Sequence, residues 1–274
     1  MLADCAALKV PLRAEQLDAL LSRATQEGLS HLEFVHRLLS DQADQRRERS
    51  IAHRIHEARF RDPHTLANFD WQFNAPAINR TQIEELATAD FVRRKDNLVL
   101  VGQSGVGKSH LVEAVGRSAC AAGYRVRYTT SAGLMENLTA ALADRTLPRR
   151  VRYYAGFDLL IVDEFGFDRL ERREARDAAS LLFKVIDARA QKHATALVTN
   201  IDFDTWGEYL GDPPLAMALL DRIVDGAIIV KINGKSYRAA RAQPTGTCGR
   251  RRPMRWAGRA VNRNEEVSHF GNQK

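Results

Sequence analysis

The chain has 274 residues, 45% of them apolar and 27% charged, a balance that excludes collagen-like, mucin-like and wholly disordered chains and leaves length for a proper core. The net charge of +7 suggests a polyanionic partner, but the excess is uneven: 0 in residues 1–65, +1 in 66–240 and +6 in 241–274. No uncharged apolar run reaches the roughly 20 residues of a membrane helix, no secretory signal opens the chain, and Cys5, Cys120 and Cys248 match neither a disulfide framework nor a zinc spacing, so a soluble cytoplasmic protein with reduced thiols and no membrane contact is expected.

The first 65 residues read as a small helical domain. Leu17, Leu20, Leu21 and Ala24 recur at helical spacing, and Gly28 is placed to end that run. Ser30 and Glu33 form a capping box for a second helix. Its apolar stripe passes through Val35, Leu38, Leu39, Ile51, Ile55 and Ala58 to about Phe60, before Pro63 breaks it. This helix carries Arg46, Arg47, Arg49, Arg54, Arg59 and Arg61 against only Glu48 and Glu57, a local basic face within a segment of zero net charge.

From about residue 66 short β-rich runs alternate with helical stretches, the sequence form of a parallel sheet covered by helices. The predicted strands are 97–101, 125–129, 157–162, 194–199 and 227–232. Between them lie predicted helices near 108–121, 131–143, 171–191 and 205–224, the last opened by a Thr205/Glu208 capping box. Residues 66–241 therefore form one α/β domain, and residues 242–274 read as an unstructured basic tail.

The first strand runs straight into Gly102-Gln103-Ser104-Gly105-Val106-Gly107-Lys108-Ser109, a complete phosphate-loop pattern followed at once by a helix. The glycines let backbone N–H groups curl around phosphate oxygens, and the helix directs its positive end at the same charge. Residues 102–109, together with His110, form the candidate cradle for ATP. Lys108 suits the β and γ phosphates and Ser109 suits Mg²⁺. The third strand ends in Asp163 and Glu164: adjacent carboxylates at the ligand-binding edge of a sheet supply one for Mg²⁺ and one to polarise an attacking water. The fourth ends in Thr199 and Asn200. If that strand lies beside the third, Asn200 reaches the γ-phosphate or the water; otherwise it is a turn former.

The order of these motifs resembles the IstB family of insertion-sequence transposition helper ATPases, relatives of the DnaC-type helicase loaders within the AAA+ class. The likeness includes Leu219-Leu220-Asp221-Arg222-Ile223, Gly234-Lys235-Ser236-Tyr237-Arg238, Glu27-Gly28-Leu29-Ser30-His31-Leu32-Glu33-Phe34 and Cys120-Ala121-Ala122-Gly123-Tyr124-Arg125-Val126, and spans roughly residues 8–240. It implies an α/β P-loop AAA+ core with a parallel five-stranded sheet, preceded by a small helical domain and without a C-terminal lid domain. It also implies an ATP-hydrolysing protein that assembles as an oligomer on duplex DNA, aids target selection and stimulates the transposase of its insertion element. Arg222 matches the family's arginine finger, acting on a neighbouring subunit's nucleotide; its local alternative is an ion pair with Asp221 or Asp225. Phe69-Asp70-Trp71-Gln72-Phe73 resembles the aromatic lead-in to the ATPase domain, near the nucleotide base or in the core.

Because residues 1–240 are nearly neutral, DNA contact must come from local patches. The candidates are Arg46 and Arg47 on the second helix, Arg145, Arg149, Arg150 and Arg152 in a loop after the helix near 131–143, and Arg172 and Arg173 beyond Glu164. Each set suits phosphates without base readout, and each equally suits a solvated helix surface. Rival readings are a replicative helicase loader, a nucleotide-gated DNA scaffold with negligible hydrolysis, and a small-molecule kinase, for which no substrate lid is visible.

Overall fold

The computed structural model describes residues 2–7, 10, 12–167 and 172–242; the side chains of Arg172 and Arg173 and the basic segment 243–274 lie outside the described residues. The chain opens with helices α1 (Leu2–Ala7), α2 (Ala14–Glu27) and α3 (His31–Ala58). Gly28 ends α2 in the left-handed region at φ 63°. Ser30 and Glu33 form the expected capping box, with Glu33 N donating to Ser30 Oγ and Ser30 N to Glu33 Oε2. The 28 residues of α3 span roughly 42 Å at 1.5 Å per residue. The first half of its predicted apolar stripe is poorly covered: Val35 and Leu39 are exposed and Leu38 is half-buried, and Leu32 one turn earlier is exposed too. Only the last turns, through Ile55, Ala58 and Phe60, reach the core of the following domain.

Helices α4 (Arg80–Ala87) and α5 (Asp90–Arg94) then lead into strand β1 (Leu98–Gly102). Both helices escape the sequence reading, because at 8 and 5 residues they are too short to show a period. The rest follows as α6 (Lys108–Ala121), β2 (Val126–Thr130), α7 (Ser131–Ala143), α8 (Leu147–Ala155), β3 (Leu159–Phe165), α9 (Arg172–Arg189), β4 (Ala194–Thr199), α10 (Trp206–Leu210), α11 (Pro213–Val224), β5 (Ile228–Ile232) and α12 (Tyr237–Ala242). The five strands form one parallel sheet in the order β2-β3-β4-β1-β5. Covered on both faces, β1, β3 and β4 read as continuous apolar runs. Leu98, Leu100, Leu159 and Ile161 pack under α4, α5 and α6. Val99, Val101, Leu160 and Val162 pack under α7, α8, α9 and α11.

Two local expectations are corrected. The stretch 205–224 is not one helix: Gly211 at φ 65° closes α10, and Asp212 caps α11 by accepting from Leu215 N at 3.1 Å, with prolines at the first helical positions. Thr205 makes no capping box; its hydroxyl donates to Asp202 O at 2.7 Å. The arginine cluster 145–152 is not a loop: Arg149, Arg150 and Arg152 stand on α8, opened by Leu147-Pro148, with Arg145 in a positive-φ residue just before it. No helix among the described residues is long and apolar enough to cross a membrane.

The end of α9 carries a buried cation that no motif announces. Arg189 is 1% exposed and forms no ion pair with a carboxylate among the described residues. Its guanidinium donates to Tyr154 O at 2.7 Å and Phe157 O at 2.8 Å, to Thr195 Oγ1 at 3.0 Å, and to Ala194 O. It thus satisfies the carbonyls at the negative end of α8 and in the turn into β3, while burial pulls its pKa down to about 9. Replacing Arg189 by Met strands those carbonyls, so it should cost roughly 2–4 kcal/mol, the orphaned acceptors outweighing the relief of burying no charge. Arg189→Lys should lose about half of that; urea midpoints for the two variants check the order.

Candidate functional site

The C-terminal ends of β1, β3, β4 and β5 share one edge of the sheet, the edge at which open α/β sheets bind ligands. At the end of β1 the chain turns through Gly105 (φ 82°) and Gly107 (φ 103°) into α6. Gly107 is doubly constrained: its φ disfavours a side chain, and a Cβ would meet the Phe69 ring at 2.9 Å. The loop therefore presents its backbone N–H groups and the positive end of the 14-residue α6 to one cavity of about 430 Å³.

Lys108 is buried, its Nζ folded back onto Gly102 O at 2.6 Å and Gln103 O at 2.9 Å. Burial, with a smaller contribution from Arg238, lowers its pKa to about 8 against the pull of Asp163. Asp163 is also buried. Its Oδ2 accepts from the Tyr128 hydroxyl on β2 at 2.9 Å, and its Oδ1 from Glu164 N at 2.7 Å. Burial, with Asp163 beside it, raises the Tyr128 pKa, so the phenol stays a donor. Glu164 sits at φ 60°, within a register shift between Val162 and Phe165. Its Oε1 accepts from Arg61 Nη1 at 2.9 Å.

Ser104, Gly105, Val106, Gly107, Lys108, Ser109, His110, Asp163 and Glu164 all line this cavity. Gly102 and Gln103 do not; they lie beneath it as acceptors for Lys108, and a Cβ on Gly102 would strike Ile232 O. Strand β4 does lie beside β3, but Asn200 points at the turn after β3, its Oδ1 3.1 Å from the Cβ position of Gly166. Arg222 is far from the loop. It ends α11, whose Arg222 and Ile223 carbonyls accept from Asn97 Nδ2 at the start of β1. Its guanidinium, 44% exposed, pairs with Asp187 at 3.1 Å and Asp221 at 2.7 Å.

The aromatic lead-in, expected near the nucleotide base or in the core, reaches this cavity, whereas the part that α12 plays in closing it escaped the sequence reading. Phe69 and Phe73 line it, as do Tyr237, Arg238 and Arg241 of α12. Phe69 meets His110 edge-on at 5.0 Å, His110 stacks on His64 at 4.1 Å, and Phe73 meets Tyr237 at 5.0 Å. Trp71 turns away into the core layer. The signal for Arg238 was its place just beyond the last strand, at the same edge as the other site residues. Asn74 pins that turn, its side chain bonding Lys235 N and O at 3.0 Å each, while Tyr237 N donates to Gly105 O at 2.9 Å.

A phosphate loop between strand and helix, an acid-ended strand separated from it in the sheet by β4, and this sheet order define a P-loop nucleotide-binding core of the AAA+ kind. Residues 3–244 match the family described as IstB-like ATP binding protein, and the chain belongs to that family. It is 34% identical over 235 residues to the ATP-binding protein of insertion sequence IS5376 from Geobacillus stearothermophilus, covering 85% of this chain and 91% of the relative. It is also 34% identical over 239 residues to the ATP-binding protein of insertion sequence IS21 from Pseudomonas aeruginosa, covering 87% and 88%. Among solved structures, DnaI shares the fold at a TM-score of 0.51 and 19% identity, over 62% of this chain and 91% of that one.

Behind the loop, Glu113 of α6 is 1% exposed. It faces Asp62 and His64 from the segment after α3, Arg117 from its own helix, Tyr128 from β2 and Asp163 from β3. Burial raises its pKa to about 7 from an ordinary 4.5, although Asp62 N donates to it at 3.2 Å. Between these values the folded chain holds a proton the unfolded chain has released, so this residue's contribution to stability falls as pH rises through the window. Glu113→Gln should match the parent near pH 4.5 and exceed it by about 1–3 kcal/mol above pH 7. Denaturant midpoints across pH 5–8 check the divergence.

Proposed function

We propose that the chain is a Mg²⁺-dependent ATPase that assembles on duplex DNA as an oligomer, aids target selection and stimulates the transposase of its insertion element. The observation that carries hydrolysis is the pair Asp163 and Glu164, both open to the phosphate-loop cavity. Membership of a family whose relatives are named for insertion sequences supports the transposition role. The cradle fits a triphosphate: glycine turns leave room for phosphate oxygens, and Lys108 needs only to exchange two carbonyls for them. Ser109 and Asp163 are the residues that would hold Mg²⁺, which supplies charge neutralisation at the transferred phosphoryl group. Glu164 accepts the proton of the attacking water. Phe69 and His110 give the base an apolar wall.

Arg222 lies at the opposite end of β1 from its own phosphate loop, which supports action on a neighbouring subunit's nucleotide, with Asp187 and Asp221 holding it until assembly. An arginine supplied in trans makes turnover depend on oligomer formation. Asn200 is the candidate that senses the γ-phosphate, from its place beside the turn after β3. For DNA, α8 is the preferred surface: Arg145, Arg149 and Arg152 are exposed and Arg150 half-buried. Arg46 and Arg47 on α3 form a second exposed set. Both suit backbone phosphates and low sequence specificity.

Glu164→Gln should bind ATP within a few-fold of the parent yet lose turnover by about 10²–10⁴-fold, measured by phosphate release and nucleotide titration. Lys108→Ala should lose ATP binding itself. A parent with no turnover to lose identifies a nucleotide-gated scaffold instead. Arg222→Ala should keep ATP affinity and lose DNA-stimulated turnover. Mixing it with Glu164→Gln protein should restore part of that turnover, because one intact site then forms between unlike subunits; absence of rescue at every ratio removes the trans assignment.

A further inference from the structure

The ion pair between Arg61 and Glu164 joins residues 103 apart in sequence, and the residues on either side of Arg61 are fixed to the same site. Phe60 packs against the Tyr128 ring at 6.2 Å and beneath the Arg117 guanidinium at 4.9 Å. Tyr128 in turn holds Asp163. Asp62 N donates to Glu113 at 3.2 Å, and Asp62 O accepts from Arg117 at 2.6 Å. Three successive residues thus touch the β2–Asp163 pair, Glu164 and α6, so Arg61 is aimed by its neighbours rather than left to wander as a surface side chain.

A glutamate that serves as general base must turn its carboxylate to the attacking water. Here that carboxylate is turned instead to the Arg61 guanidinium, whose Nη1 donates to Oε1 at 2.9 Å in a charge-assisted hydrogen bond. Arg61 begins three residues after the end of α3. Within that helix only Gln42 and Ala58 are buried, and its exposed arginines 46, 47 and 49 are available to a polyanion.

We propose that Arg61 is a positioning residue that restrains Glu164, and that duplex DNA engaging the arginines of α3 draws Arg61 away and frees the carboxylate for hydrolysis. This rests on the ATPase reading above. It makes the N-terminal helix a direct input to the rate, in addition to any effect of assembly. An exposed ion pair shifts an equilibrium by up to about fivefold, which sets the size of the expected effect.

The test compares Arg61→Gln, Arg61→Lys and Arg59→Gln in the full chain. Arg59→Gln removes an equal charge from an exposed neighbour that does not touch Glu164. Arg61→Gln should raise kcat without DNA about two- to fivefold, leave the Kd for ATP within twofold, and reduce the ratio of DNA-stimulated to basal turnover by the same factor. Arg61→Lys should keep the restraint, and Arg59→Gln should leave basal turnover unchanged. A second readout needs no catalysis: Glu164→Gln should speed tryptic cleavage after Arg61 relative to cleavage after Arg59 by about two- to fivefold. Unchanged or lower basal turnover in Arg61→Gln, with the parent's stimulation ratio, overturns the proposal. If the parent lacks turnover altogether, the ATPase reading falls, and the cleavage ratio alone then decides the restraint: an unchanged ratio overturns it.

Discussion

Successive side chains on a β-strand point to opposite faces of the sheet, yet two successive carboxylates, Asp163 and Glu164, line one cavity. The chain resolves this at the end of β3 by breaking the alternation. Phe165 resumes the ladder opposite Thr199 after a register shift, and Glu164 takes a left-handed backbone conformation at φ 60°. Such a conformation costs a non-glycine residue about 1–3 kcal/mol and persists only where its surroundings fix it. Those surroundings are specific: Tyr128 holds Asp163 from the neighbouring strand, Asp163 accepts from the Glu164 amide, and Arg61 holds the Glu164 side chain. Phe165, fully buried against Trp206 at 4.5 Å, anchors the far side of the distortion.

How much of this was legible depended on how far each interaction reaches along the chain. The phosphate loop, the acid-ended strand and the continuous apolar runs are local patterns, and all five strands fall within three residues of their predicted ends. Helix α11 was misjudged at its start because Thr205 and Glu208 have the spacing of a capping box, whereas the geometry is decided by Gly211 and the two prolines that follow Asp212. The helical character of α8 was hidden by Pro148, which breaks a helix interior but is favoured in the first turn. Arg189 and Arg61 carried no local signal for the contacts they make, and Arg238 only its place just beyond the last strand. Arg189 reaches back 35 residues to Tyr154, Arg61 reaches Glu164 103 residues on, and Arg238 faces Lys108 across the cavity; an isolated arginine in a sequence reads as surface.

Charge illustrates the same limit. The whole-chain excess of +7 says little about where a polyanion would sit, because most of it lies beyond residue 240. Within the described residues many arginines already have carboxylate partners: Arg80, Arg93, Arg94 and Arg222 pair on the surface at 2.7–3.1 Å. Exposed pairs of this kind contribute little stability, about 0–1 kcal/mol each, but they remove those cations from the pool available to phosphate. The α8 cluster and the outer part of α3 gain weight by that subtraction.

The region around the boundary expected at residue 65 is packed against the site rather than left as a bare linker. It falls within a strap that crosses the site: Phe60 on Tyr128, Arg61 on Glu164, Asp62 on Glu113, His64 on His110, and Phe69 against Gly107. Each contact is modest, and none would order the strap alone against its conformational entropy. Together they join an exposed 28-residue helix to both carboxylates and to the floor of the cradle. Any ligand that binds phosphate loop and strap together stabilises their mutual arrangement, and by linkage a partner whose binding disturbs that arrangement weakens the ligand's affinity. Placing the strap across the site, rather than beside it, ties the end of the N-terminal helix to the residues that line the cavity.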